Sequence, residues 1–163
     1  MQQKMKIKGI IDTDFQNYKK PSLYIAFPHC SFKCGKQFCQ NTNLAREKDK
    51  NIKISTIISI YEKNPVTKAL VCGGLEPFDS WEDLQLLVEK FREHFLDDIV
   101  IYTGYIEDEV EDKVKWLSSY KNIIIKFGRY VPNDPPHLDK NLGVDLASLN
   151  QYAKSYNVMG DYC

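Results

Sequence analysis

The chain lacks a long apolar run, an excess of charge of one sign and an even number of cysteines. No stretch approaches the roughly 20 apolar residues of a membrane helix, and the start Met-Gln-Gln-Lys-Met-Lys is too polar for a secretion signal. The 22 basic residues balance the 22 acidic ones without a dense basic block, which argues against a nucleic-acid partner. Five cysteines cannot all pair as disulfides, and 163 residues can bury a core without them. We therefore expect a single domain, residues 1–163, in the reducing cytoplasm and not at a membrane.

Short apolar runs alternate with stretches of helical periodicity. The predicted strands are Leu23–Phe27, Ala69–Cys72, Ile99–Tyr102 and Ile123–Phe127. The predicted helices are Ser55–Tyr61, capped by Ser55 or Thr56, then Trp81–Phe95, with a capped start at Ser80, and Val110–Leu117. This alternation predicts parallel βαβ units and hence an α/β fold with a mostly parallel sheet. Residues 131–163 open with three prolines, and we expect them to form an irregular C-terminal elaboration of the same domain.

Glycine-containing turns follow three of the predicted strands, and their positions predict a single binding site. Gly73-Gly74, Tyr102-Thr103-Gly104 and Gly128-Arg129 each come at the end of a strand, and a cysteine-rich loop follows the first strand. The carboxyl ends of parallel strands lie along one edge of a sheet, where ligands bind. All four segments should therefore converge there.

Three cysteines lie on the loop after the first predicted strand, at Cys30, Cys34 and Cys39. Three thiolates suit a [4Fe-4S] cluster that leaves one iron open. A structural zinc site remains an alternative, with His29 or Cys163 as the fourth ligand. A second alternative is that the three cysteines lie close in sequence by coincidence. Cys72 lies within an apolar strand and is predicted to be a small core residue.

These residues resemble the radical S-adenosylmethionine (SAM) superfamily. Its signature is Cys-x3-Cys-x2-Cys with an aromatic residue before the last cysteine. The chain keeps the first spacing and the aromatic Phe38, but carries two additional residues between Cys34 and Cys39. Gly73-Gly74-Leu75-Glu76-Pro77 is similar to the segment that receives the SAM amino group, with Leu75 inserted. The resemblance implies a partial (β/α) barrel, a [4Fe-4S] cluster on the three cysteines, and SAM bound beside it.

Within that superfamily the chain looks most like the activating proteins of anaerobic ribonucleotide reductase. Cys39-Gln40-Asn41 and Ser148-Leu149-Asn150-Gln151 carry this likeness, whereas Lys126-Phe127-Gly128-Arg129 departs from the more usual Asp-Gly. The likeness implies reductive cleavage of SAM to a 5'-deoxyadenosyl radical and a glycyl radical on the reductase large subunit. An electron donor such as flavodoxin or ferredoxin is then a second partner.

The resemblance also implies roles around SAM. Phe38 would pack on the adenine and Glu76 would bind the ammonium, while Asn150 would form a hydrogen bond with the SAM adenosine or carboxylate. Gly73, Gly74 and Tyr102 would line the pocket, and Arg129 would meet either a SAM carboxylate or a partner protein. Two alternatives stay open: another small radical SAM enzyme, acting on a different glycyl-radical enzyme or on a small molecule, and a non-enzymatic zinc or iron–sulfur binding module.

Overall fold

The computed structural model describes residues 3–30 and 42–158. The described strands are β1 Lys4–Ile7, β2 Gly9–Asp14, β3 Ser22–Phe27, β4 Lys50–Lys53, β5 Ala69–Gly74, β6 Asp98–Tyr102, β7 Ile123–Phe127, β8 His137–Asp139, β9 Val144–Leu146 and β10 Tyr152–Tyr156. The described α-helices are α1 Thr42–Arg46, α2 Ile54–Lys63, α3 Trp81–His94 and α4 Glu111–Leu117, and short 3₁₀ turns over Pro77–Ser80 and Glu107–Val110 precede α3 and α4. None of these helices is long and apolar enough to cross a membrane.

A six-stranded sheet with the order β10-β7-β6-β5-β3-β2 forms the centre of the fold. β3, β5, β6 and β7 are parallel to one another, and β2 and β10 add antiparallel edges. The four predicted strands and the mixed α/β class of a single domain are thereby confirmed. The partial barrel stays a prediction.

Three predicted helices are present; the predicted cap of α2 is wrong, whereas Ser80 does occupy the predicted N-cap position of α3. α2 begins at Ile54, one residue before the predicted start, and Lys53 at its N-cap makes no side-chain cap bond. The Ile54 N–H donates instead to the Gln3 carbonyl at 2.9 Å, so the segment leading into β1 supplies the acceptor. Ser80 occupies the N-cap of α3, also without a side-chain cap bond, because the chain enters that helix from the 3₁₀ turn.

The sheet buries apolar side chains on both faces. The larger core cluster joins alternate strand residues such as Leu70 and Ile101 to α2 and α3, and it contains Cys72. Cys72 is 0% exposed, which confirms it as a small core residue, and this burial raises the pKa of its thiol. The smaller cluster covers the other face and includes Leu142 and Leu146 from the tail.

The described part of the tail, residues 131–158, contains regular structure that we did not expect. β8 and β9 form an antiparallel ribbon, and β10 pairs with β7. Asp139 joins the ribbon to the sheet, since one carboxylate oxygen accepts from the Leu142 N–H and the other from the Ala153 N–H, each at 3.0 Å. The tail is therefore an integral layer of the domain.

Candidate functional site

A cavity of about 360 Å³ opens at the carboxyl ends of the four parallel strands. Cys30 reaches it from the loop after β3, Gly73 and Gly74 from the end of β5, and Tyr102 from the end of β6. Gly128 and Arg129 follow β7 and also line it, and β9 contributes Val144 and Leu146 to the lining. The predicted convergence of four strand ends on one site is confirmed.

The two glycines are required by the packing of the sheet itself. A Cβ atom on Gly73 would lie 2.6 Å from the Tyr24 hydroxyl oxygen. Gly74 has φ +83°, and a Cβ there would lie 2.5 Å from the Phe27 nitrogen. The Gly74 N–H also donates to the Tyr24 hydroxyl at 2.7 Å. Gly73-Gly74 thus lets Tyr24 lie across the end of β5 and form part of the cavity wall.

Glu76 is a buried carboxylate in the cavity wall, 4% exposed. Its Oε1 atom accepts from the Thr103 hydroxyl at 2.9 Å and from the Gly104 N–H at 2.7 Å. Its Oε2 atom accepts from the Phe78 N–H at 3.1 Å. Burial raises the pKa of Glu76 to about 7, although these three hydrogen bonds favour the charged form. The side chain therefore joins the ends of β5 and β6 and stays close to its ionisation point at neutral pH.

Lys126 is a second buried ionisable group on the cavity, 7% exposed, and we did not predict it. Its ammonium donates to the Gly128 carbonyl at 2.8 Å and to the Thr103 carbonyl at 3.3 Å. Burial lowers its pKa to about 8, and the nearby Glu76 carboxylate opposes that shift. The one feature of the sequence that could have indicated Lys126 as a site residue is its place as a single lysine in the otherwise apolar strand Ile-Ile-Ile-Lys-Phe.

Tyr102 lies beside Lys126, whose ammonium nitrogen is 6.0 Å from the centre of the Tyr102 ring. The Tyr102 hydroxyl donates to the Asn17 carbonyl, so the phenol reaches across from β6 to the segment that follows β2. Burial raises the pKa of Tyr102, which keeps the phenol neutral. Tyr102 therefore lines the cavity as predicted by position, while its role toward a cofactor stays a prediction.

Asn150 is not among the residues that line the cavity. Its amide nitrogen donates to the Arg129 carbonyl at 2.7 Å, and its carbonyl oxygen accepts from the Ser148 hydroxyl at 2.7 Å. The adjacent Gln151 does line the cavity and donates to the Gly128 carbonyl at 3.2 Å. The Ser-Leu-Asn-Gln segment thus supports the loop after β7, and a contact of Asn150 with SAM stays a prediction.

Arg129 lies at the rim of the cavity with an acidic partner. Its guanidinium forms an ion pair with Glu109 at 2.8 Å, and its centre is 5.7 Å from the centre of the Tyr105 ring. The hydrogen bond with Glu109 raises the pKa of Arg129 further above its usual value. The rim is therefore held in place by contacts between the segments after β6 and β7.

The candidate metal ligands are only partly described. Cys30 is half-buried and opens onto the cavity, directly beside the ends of β3 and β5. Cys34, Cys39, Cys163 and the aromatic Phe38 lie outside the described residues. The position of Cys30 fits a thiolate-held cluster, because a cluster bound through its sulfur would border the cavity that Glu76 and Lys126 also line.

The structure defines an α/β protein with a cavity at the carboxyl edge of its sheet, and Cys30 is one of the residues that line this cavity. A family model described as "4Fe-4S single cluster domain" matches residues 20–145. The chain belongs to this family, so the cysteine loop belongs to a 4Fe-4S cluster-binding domain. No curated protein and no solved structure matches the chain.

Proposed function

We propose that this protein is a radical SAM activating enzyme that generates a glycyl radical on anaerobic ribonucleoside-triphosphate reductase. The observation that carries the proposal is the meeting of Cys30 with a buried carboxylate, Glu76, and a buried ammonium, Lys126, on one cavity. A [4Fe-4S] cluster with one open iron, held by Cys30, Cys34 and Cys39, would supply the electron that cleaves SAM reductively to methionine and a 5'-deoxyadenosyl radical.

The charges of the cavity complement the amino-acid end of SAM. Glu76 offers a carboxylate to the ammonium group, and Lys126 offers an ammonium to the carboxylate. The volume of about 360 Å³ falls in the usual range of small-molecule sites, about 300–1,000 Å³. Both side chains are held by hydrogen bonds to the backbone, so they need little rearrangement to receive a ligand.

The remaining walls of the cavity would restrict water around the reacting groups. Tyr24 and Tyr102 line the cavity from the sheet, and Val144 and Leu146 of β9 line it from the tail. Excluding water strengthens electrostatic contacts within the site and protects a reactive radical from side reactions. This chain's contribution is therefore to bind SAM, orient it and enclose it.

The protein substrate is proposed from the sequence likeness. Cys39-Gln40-Asn41 and Ser148-Leu149-Asn150-Gln151 are similar to segments of the reductase-activating proteins. The substrate is then a glycine Cα–H in the glycyl-radical loop of the reductase, and the electron comes from a flavodoxin or ferredoxin.

The decisive experiment is anaerobic reconstitution with iron and sulfide, reduction, and measurement of 5'-deoxyadenosine formed from SAM. We expect about four irons per chain and product from the wild-type protein. Cys34→Ala should abolish the product, whereas the matched control Cys72→Ala, which removes a core thiol, should keep iron and product. Wild-type protein that holds its cluster and forms no product under strong reduction would refute SAM cleavage.

A second assay tests the partner. Addition of an anaerobic reductase should produce a glycyl radical detected by electron paramagnetic resonance. SAM cleavage without this signal on any class III reductase tested would leave another small radical SAM enzyme as the function. Colourless protein with one zinc per chain would identify the binding module instead.

A further inference from the structure

Lys8 is a buried lysine that contacts both the strand before the cysteine loop, β3, and the segment after it, between α1 and β4. It lies between β1 and β2 and is 8% exposed. Its backbone N–H donates to the Ala26 carbonyl at 2.7 Å. Ala26 is the penultimate residue of β3, four residues before Cys30. The backbone of Lys8 is therefore fixed to the strand from which the cysteine loop departs.

The side chain of Lys8 holds the segment on which that loop returns. Its ammonium forms an ion pair with Asp49 at 2.8 Å and donates to the carbonyls of Glu47 and, at 3.4 Å, of Ala45. Ala45 lies in the last turn of α1, where carbonyls lack partners within a helix and a cation satisfies them. Three acceptors match the three N–H donors of an ammonium, so Lys8 is buried without losing its hydrogen bonds.

Pairing of β1 with β4 reinforces this arrangement. Ile7, the residue before Lys8, lies opposite Lys50, the residue after Asp49. Lys8 thus connects both described ends of the loop at one point: the departing strand through its N–H and the returning segment through its ammonium.

We infer that Lys8 is a positioning residue for the iron–sulfur cluster. By fixing both ends of the loop, it reduces the chain entropy lost when three thiolates gather on one cluster, so that the cluster is held more tightly. The inference requires the cluster of the family and does not depend on the SAM chemistry proposed above.

The test measures release of iron to a chelator from anaerobically reconstituted protein, without SAM. Lys8→Met keeps the length of the side chain and removes the ammonium, and we expect about tenfold faster release, the scale of a hydrogen bond to a charged group. Lys50→Met is the matched control, since it removes an exposed lysine on the adjacent strand and should leave release unchanged. Equal release from Lys8→Met and Lys50→Met would overturn the inference.

Two further measurements separate positioning from a general loss of stability. Thermal unfolding of cluster-free Lys8→Met should occur at a lower temperature, because three acceptors lose their donor, so iron release is compared well below both transitions. A role confined to the fold would lower the unfolding temperature and leave iron release at that lower temperature unchanged. If Lys8→Met does not fold, Asp49→Ala provides the test. This variant removes the exposed ion-pair partner of Lys8, and we expect about threefold faster release of iron. Unchanged release from Asp49→Ala would then overturn the inference. Wild-type protein that holds iron but cleaves no SAM would refute the proposed function and leave this role of Lys8 intact.

Discussion

Glu76 combines a structural role with a charge suited to binding. Its carboxylate accepts hydrogen bonds from the residues that follow β6, yet burial brings its pKa to about 7. A cationic ligand beside it would favour the charged form and lower that pKa. Ligand binding and deprotonation of Glu76 are therefore linked.

This linkage predicts a bell-shaped pH profile for SAM binding. Below a pH of about 7 Glu76 is protonated in the free protein, so affinity should fall by up to about tenfold per pH unit. Above a pH of about 8 Lys126 loses its proton, and with it the attraction that we propose for the SAM carboxylate, so affinity should fall again. Equilibrium dialysis of SAM against the anaerobic holoprotein across this range measures the profile.

Substitution of Glu76 tests whether this residue causes the fall in SAM affinity at low pH. Glu76→Gln should bind SAM more weakly and lose the fall below a pH of about 7. Glu89→Gln, on the exposed face of α3, should retain the wild-type profile. An acid limb that persists in Glu76→Gln would show that a different group titrates.

Cavity residues at strand ends are predictable from the sequence, whereas Lys126, a cavity residue within a strand, is not. The shared place of Gly73, Gly74, Glu76 and Tyr102 on one cavity is predictable because each follows or ends an apolar run, and the sheet brings them to one edge. Their roles toward a ligand stay predictions. Lys126 was missed because a charged residue within an apolar strand carries no local sign of the face to which it points. The contacts of Glu76 with Thr103 and Gly104 depend on strand order, which short-range patterns do not specify.

At the scale of elements, Asp139 connects the tail to the sheet. It is a buried carboxylate, 8% exposed, in the last position of β8. Because its two oxygens accept from separate N–H groups, it joins the ribbon of β8 and β9 to the edge strand β10. The wall of the cavity that β9 supplies therefore depends on this contact.

We predict that Asp139→Ala destabilises the protein by about 3 kcal/mol, because two buried N–H groups lose their acceptors. Urea unfolding of the cluster-free protein measures this loss, and faster hydrogen exchange at the Ala153 amide would locate it. Asp12→Ala, an exposed residue on β2, should change stability by less than about 0.5 kcal/mol. Equal stability of the two variants would show that water replaces the carboxylate.

Elements were predictable where a strand is buried on both faces. β3, β5, β6 and β7 are mostly apolar, and the sequence predicts each within two residues of its observed bounds. β1, β4 and β10, with sequences Lys-Met-Lys-Ile, Lys-Asn-Ile-Lys and Tyr-Ala-Lys-Ser-Tyr, are polar on one side. Such short strands form because a partner strand is already in place, which the local sequence does not reveal.

At the scale of the whole molecule, the core and the candidate metal site are separate. Neither cluster of buried apolar residues includes Cys30, the described member of the ligand triplet. A domain of this length can be stable from its core alone, at about 5–15 kcal/mol. The fold should therefore survive loss of the cluster.

The matching prediction concerns a variant with Cys30, Cys34 and Cys39 all replaced by alanine. We expect wild-type far-ultraviolet circular dichroism and a single cooperative thermal transition, with no bound iron. Leu70→Ala, which truncates a side chain that is 0% exposed on β5, should by contrast lose about 2–5 kcal/mol. A triple variant that is unfolded, as in domains that fold only with their metal, would contradict this separation.

The antiparallel strands at both edges of the sheet set a limit on its architecture. β2 lies against β3 and β10 against β7, so each outer parallel strand already has a neighbour of opposite direction. A further βα unit could not join the parallel core without displacing one of them. Within residues 3–30 and 42–158, the strand ends at the cavity thus number four, and a bulkier ligand would have to be accommodated at the open side of the cavity rather than by a wider parallel sheet.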